Sequence, residues 1–283
     1  MRKILLGIMA LCALFSRAVT LDEVEFHNES CDTAKITQIL VDAAKIDNAN
    51  QRVVTIARSF IGTPYVAHTL EGEKELLRVN LDELDCTTFV ETVMALAYTA
   101  GENRTSWRDY IYNLERIRYR GGKLNGYASR LHYISDWIMD NSYRGNFVEV
   151  TNRLPECRYL VKTIDFMSAN RKSYPALADD EVYRKIKDVE MGYRSHRFPY
   201  IKSSNLTGKA VKGALKDGDV VALTCDIKNL DVSHMGIIVV KDGEPYLLHA
   251  SSSHGKVEIS DMPLCDFMKR NFHLTGIRVI RFE

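Results

Sequence analysis

The stretch Leu84-Asp85-Cys86-Thr87-Thr88-Phe89-Val90-Glu91 constrains this chain more than any other. Upstream of it, Val79 to Leu81 reads as a short extended run. Downstream, Phe89, Val90, Val93, Met94, Leu96 and Ala97 recur at helical spacing through Tyr98, the pattern of a largely buried helix. Asp85 is a good N-cap residue, which puts Cys86 in the first turn. Backbone amides and the dipole at a helix N-terminus favour a thiolate over a thiol. Cys86 is therefore a candidate nucleophile. The alternative is a small buried hydrophobe, and this stretch alone does not separate the two.

Charge narrows the partners. The 283 residues carry 38 Lys and Arg against 37 Asp and Glu, a formal net charge of +1. No bulk field points to nucleic acid or to an anionic membrane. The N-terminus reads as a secretory signal, with Arg2 and Lys3 before an apolar run from Ile4 to Phe15 that is too short to span a bilayer. Small residues at Ser16 and Ala18 place cleavage after Ala18, leaving residues 19–283 as one exported domain, periplasmic or released from the cell. Cys12 lies inside the apolar run behind bulky Leu11, which argues against a lipoprotein. Export permits disulfides. The remaining cysteines are Cys31, Cys86, Cys157, Cys225 and Cys265, an odd number, so at least one thiol stays unpaired in a monomer. No CxxC pair marks a structural zinc site, and no ligand set of adequate spacing appears, so no metal or cofactor is expected.

Periodicity gives helices over Thr33–Ile46, Val53–Ile61, Ser106–Arg116, Tyr133–Met139 and Asp179–Gly192. Gly62-Thr63-Pro64-Tyr65 stops the second of these. Phe147–Thr163 reads as extended, Ile164–Leu177 as loop, and Arg194–Lys216 has no clear pattern. The last third is β: Val220–Leu223, His234–Val240, Tyr246–Ala250, Lys256–Ile259 and Ile277–Phe282. Helices first and an antiparallel meander afterwards predict an α+β fold.

Two histidines fall in this β region. His234 opens one strand, His249 closes the next, and Asp242-Gly243 between them is a hairpin signal. A two-residue or four-residue turn sets His249 opposite Gly236 and His234 opposite Ser251. The two residues then share a face as diagonal neighbours about 7–8 Å apart by Cα, within reach of each other's imidazoles. A three-residue turn would put them on opposite faces. A thiolate nucleophile needs a base to take its proton and a polar partner to orient that base. Cys86, His234 and His249 can supply those roles.

The combination resembles the NlpC-type, papain-like superfamily of bacterial cell-wall hydrolases. The matching motifs are Gly62-Thr63-Pro64-Tyr65, Asp85-Cys86-Thr87-Thr88-Phe89, His234-Met235-Gly236-Ile237 and His249-Ala250. AHTLE, LDCTTFVE, YASRLHYISDW and DVSHMGI are more similar to its N-acetylmuramoyl-L-alanine amidase-like branch. The resemblance implies a papain-like fold, with the nucleophile helix packed on an antiparallel sheet, and a muropeptide substrate. Cys86 would attack the amide carbonyl between the muramic acid lactyl group and L-alanine, His234 would shuttle the proton, and His249 would orient His234. Tyr65 and the Cys86 amide would stabilise the oxyanion. Two departures, no Gly-Gly after Tyr65 and a long Tyr119–Leu177 segment, imply a pocket unlike that of the common γ-D-glutamyl-diamino-acid endopeptidases. Such an endopeptidase, a non-catalytic cell-wall binding module, and a zinc hydrolase using His234, His249 and His254 are the competing readings.

Arg118–Asn141 is denser in polar and aromatic groups than core packing requires. Arginine forks suit carboxylates and aromatic faces suit sugar rings. Arg120, Ser129, Arg130, His132 and Tyr133 are therefore expected to bind substrate, together with Asp85 and Ser233, which flank site residues.

Overall fold

The computed structural model describes residues 19–282; the expected signal segment, 1–18, lies outside the described residues. The helices are α1 Glu29–Ala43, α2 Ala49–Arg58, α3 Cys86–Gly101, α4 Trp107–Arg118, α5 Ile134–Tyr143, α6 Phe166–Ala169, α7 Asp180–Gly192, α8 Lys209–Ala214 and α9 Leu264–Arg270. The strands are β1 Val24–Phe26, β2 Leu77–Val79, β3 Val148–Glu149, β4 Cys157–Val161, β5 Arg197–Lys202, β6 Val220–Cys225, β7 Val232–Lys241, β8 Glu244–Ser251, β9 Lys256–Pro263 and β10 Leu274–Arg281.

Helix α3 is the centre of the packing because its sequence gives it no polar face. Only Cys86, Thr87, Tyr98 and Gly101 escape full burial. Asp85 starts it: its side chain accepts from the amides of Thr87 (3.0 Å) and Thr88 (2.8 Å), and the Thr88 hydroxyl accepts from the Asp85 amide. This capping box satisfies donors that the first turn would otherwise leave open. Around α3 lie α1, α2, α4 and one face of the large sheet, sharing a core with Ile36, Val53, Phe89, Leu114, Ile237 and Val257.

The order β4-β5-β10-β6-β7-β8-β9 makes that sheet antiparallel, with β3 also pairing β10. Only β6 to β9 form the expected meander. β10 instead returns to the far side of β6 and carries β5 with it. Sequence periodicity leaves β5 unassigned because its pairing partners are distant in the chain. Alternation along β6 sends Val220 and Ala222 toward α3, and Val221 and Leu223 to a second core with α8 and α9. The mid-chain segment builds a third cluster around Tyr133, Met167, Ile186 and Phe198. Within the described residues, no helix is long and apolar enough to cross a membrane. The five described cysteines are all free thiols.

Candidate active site

Strands β7 and β8 pair from Ile237↔Leu248 to Lys241↔Glu244, which leaves Asp242-Gly243 as a two-residue turn. Both turn residues have positive φ, 52° and 78°, as the primed hairpin turn requires. The register is the one expected from the sequence, and it puts the two imidazoles in contact. His234 Nε2 lies 2.7 Å from His249 Nδ1, with ring planes nearly perpendicular at 89°. Ser233 is the extra residue of a β-bulge against β6, and it is exposed. A bulge there re-aims the strand entry that presents His234. Gly236 has to be glycine: a Cβ would stand 2.6 Å from Leu247 Cδ1 and 2.9 Å from the Leu248 carbonyl oxygen.

Burial makes both imidazoles poor bases at rest. It pushes His234 down to about 4. Burial, then the neighbouring His234, push His249 down to about 3. Both rings are therefore neutral near pH 7. His234 Nδ1 has no hydrogen-bond partner among the described residues. With Nε2–H of His234 donating to His249 Nδ1, Nδ1 of His234 is left as the free acceptor.

Cys86 occupies the first helical position of α3 and is half-buried. The surroundings of the thiol oppose the acidity expected of a helix start. Burial, then the Asp85 carboxylate, push Cys86 up to about 11, against a smaller opposing effect from the Met235 backbone next to His234. The cap that builds the helix start also sets a negative charge beside the sulfur. Cys86 Sγ lies 4.0 Å from Thr87 Oγ1, and among the described residues no hydrogen bond joins it to His234.

Tyr65 reaches this helix start by chain pairing rather than by chance. It bridges Leu84 on one side, and its amide donates to the Gly255 carbonyl (2.9 Å) on the other. Burial, then Cys86, then Asp85 raise its hydroxyl above the ordinary tyrosine value, so it stays protonated and able to donate.

The remaining expected substrate residues are engaged elsewhere. Asp85 is the helix cap. Arg120 is bidentate to Asp136, at 2.7 and 2.5 Å. Arg130 is buried and paired with Glu71 (2.7 Å) and Glu75 (3.4 Å). His132 Nε2 contacts the Tyr127 carbonyl (2.8 Å), and Tyr133 donates to Glu190 (2.8 Å). Ser129 closes its own turn by donating to Gly126 O (2.7 Å). Each of these side chains of the expected substrate wall thus has a partner within the protein. The wall had the right composition, but Arg130 and Tyr133 find their acceptors in distant parts of the chain.

A cavity of about 570 Å³ does open on the histidine face, lined by His234, His249, Ser233, Glu258, Phe267 and Arg270 among others. Cys86 and Tyr65 are not among its lining residues. Phe267 of α9 meets both imidazoles, with ring centroids 6.4 and 5.3 Å away. Sequence reasoning missed α9, although Leu264, Phe267 and Met268 after Pro263 carry the helical spacing of one short turn. No group of three or more His, Cys, Asp or Glu side chains among the described residues gathers as a metal site.

Residues 55–277 match the AmiA-like family, described as N-acetylmuramoyl-L-alanine amidase-like. A crystal structure of an N-acetylmuramoyl-L-alanine amidase from Bacteroides uniformis is 38% identical, covers 83% of this chain and 99% of its own, and superposes with a TM-score of 0.78. A Bacteroides fragilis structure with a provisional xylanase designation is 39% identical, with 81% and 100% coverage and a TM-score of 0.76. A Legionella pneumophila protein at 21% identity, with 89% and 94% coverage and a TM-score of 0.68, shares the fold. Comparison with curated protein sequences gives no match.

Proposed function

Since the chain belongs to the AmiA-like, N-acetylmuramoyl-L-alanine amidase-like family, we propose that it is a cysteine amidase cutting between N-acetylmuramic acid and L-alanine in peptidoglycan fragments. The observation that carries this reading is the His234–His249 contact of 2.7 Å, which leaves His234 Nδ1 unoccupied. A papain-like arrangement uses such a pair with a thiol at a helix start, and Cys86 stands at one.

A thiol near 11 and an imidazole near 4 do not exchange a proton at rest. The proton therefore moves to His234 Nδ1 as the sulfur attacks the lactyl carbonyl, not before. The S–C bond forms, and the oxyanion takes hydrogen bonds from the Tyr65 hydroxyl and the Cys86 amide. His234 passes the proton to the L-alanine nitrogen, the C–N bond breaks, and a thioester remains. Water then attacks the thioester, giving its proton to His234, which returns one to the departing sulfur. His249 accepts from His234 Nε2–H throughout and holds its tautomer. The protein acts in this reading as an exported, periplasmic monomer.

Mass spectrometry of purified muropeptides after incubation tests the proposal. Release of a peptide with a free L-alanine amine is the expected result. A cut after γ-D-glutamate would make the protein an endopeptidase instead, and an uncut substrate would leave it a binding module.

A further inference from the structure

The two halves of the cleaved amide need separate places, and the structure distinguishes them. His234 must deliver its proton to the leaving nitrogen, so the leaving half has to lie beside the imidazole. The cavity has both imidazoles in its wall, while Cys86 and Tyr65, which act on the acyl carbonyl, do not line it. Resting on the amidase reading above, we infer that this cavity binds the peptide half of the substrate, an anionic stem peptide, and that the muramoyl half lies on the Cys86–Tyr65 side.

The rim has the chemistry for such a peptide. Arg270 at the end of α9 is largely exposed, and its nearest carboxylate is Asp261 at 3.9 Å, itself exposed. So loose a pair contributes little to stability and can yield to an incoming carboxylate, which a guanidinium fork matches. Asp261 on the same rim suits the ammonium group of a diamino acid. Phe272 is 79% exposed, with its ring 4.0 Å from that of His273. A large aromatic left in water at a cavity mouth offers apolar contact area to a ligand. A volume of about 570 Å³ lies within the range of small-ligand pockets, roughly 300–1,000 Å³. By contrast, His254 and His273 already have carboxylate partners in Glu258 and Asp226. Arg270 is therefore the cation on this rim best placed to bind, and Phe272 is its apolar counterpart.

Calorimetry with two product halves tests the assignment. The probes are an L-alanyl-γ-D-glutamyl-diamino-acid tripeptide and N-acetylmuramic acid, each titrated into the full chain, Arg270→Ala and Phe272→Ala. The tripeptide should bind the unmodified protein and weaken about tenfold or more in Arg270→Ala, with a smaller loss in Phe272→Ala. Affinity for N-acetylmuramic acid should stay the same in all three. The inference is overturned if the tripeptide does not bind, if it binds all three proteins equally, or if the substitutions weaken the sugar acid instead. Turnover of an intact muropeptide by the unmodified protein is measured alongside. If no peptide with a free L-alanine amine is released, the amidase reading fails on its own, while the calorimetry still decides what the cavity holds.

Discussion

The Arg118–Tyr133 segment and the rim of the histidine cavity look alike in composition and differ in what their polar groups do. Each combines arginine, histidine and aromatic side chains near turns. In the first, Arg118 pairs with buried Glu91 at 2.6 Å, Arg130 with Glu71 and Glu75, and Arg120 with Asp136. In the second, Arg270 has only a loose, exposed partner and Phe272 stands in solvent. A charged side chain is available to a ligand when the fold has not already neutralised it. Burying an arginine between carboxylates makes it a structural part, because removing it strands the acids.

The largest effect expected is on turnover. Cys86→Ala and His234→Ala should each lower kcat by about 10²–10⁴-fold or more while the protein stays folded. His249→Ala should leave a higher residual rate, and His249→Asn most of it, since these alter only the orienting acceptor. Full activity in Cys86→Ala would remove the thiol from the mechanism. A greater loss at His249 than at His234 would reverse the two roles.

Next comes Arg130→Ala, expected to cost about 3–5 kcal/mol of stability in urea unfolding. Arg270→Ala should stay within about 0.5 kcal/mol. Equal stabilities, with a raised KM in Arg130→Ala, would show that the first region is a substrate wall after all.

Acid should expose the buried imidazoles. In the unfolded chain both site histidines take a proton near 6.5, whereas in the folded protein they do so only near 4 and 3. The unfolded state thus binds more protons over that window. The stability they contribute is complete above 6.5 and is lost as pH falls through the folded values. His132, also held well below its ordinary value by burial, adds a slope of the same sign. Melting temperature should fall between pH 6.5 and 4, and His249→Asn should flatten the curve. An unchanged slope in that variant would mean that His249 titrates normally.

The smallest effect concerns Asp85→Asn, which keeps a cap and removes the charge that helps raise the Cys86 thiol. Its thiol should react faster with iodoacetamide at neutral pH. No acceleration would mean that desolvation alone sets the thiol.

Local sequence was enough for several parts of this protein. Asp85 and Thr88 start α3, and the apolar run behind them requires its burial. Asp242-Gly243 fixes the β7–β8 register, so the turn alone makes His234 and His249 legible as a pair. Those features depend on neighbours within a few residues, where propensity and periodicity act. The pairing of β10 with β5 and β6, the placing of Phe267 against the imidazoles and the partners of Arg120 and Arg130 were decided by contacts across the chain. The same holds for the thiol: a helix start predicts an acidic Cys86, but burial and the Asp85 charge push it the other way. Desolvation depends on everything packed around a group, and only the tertiary structure brings that together.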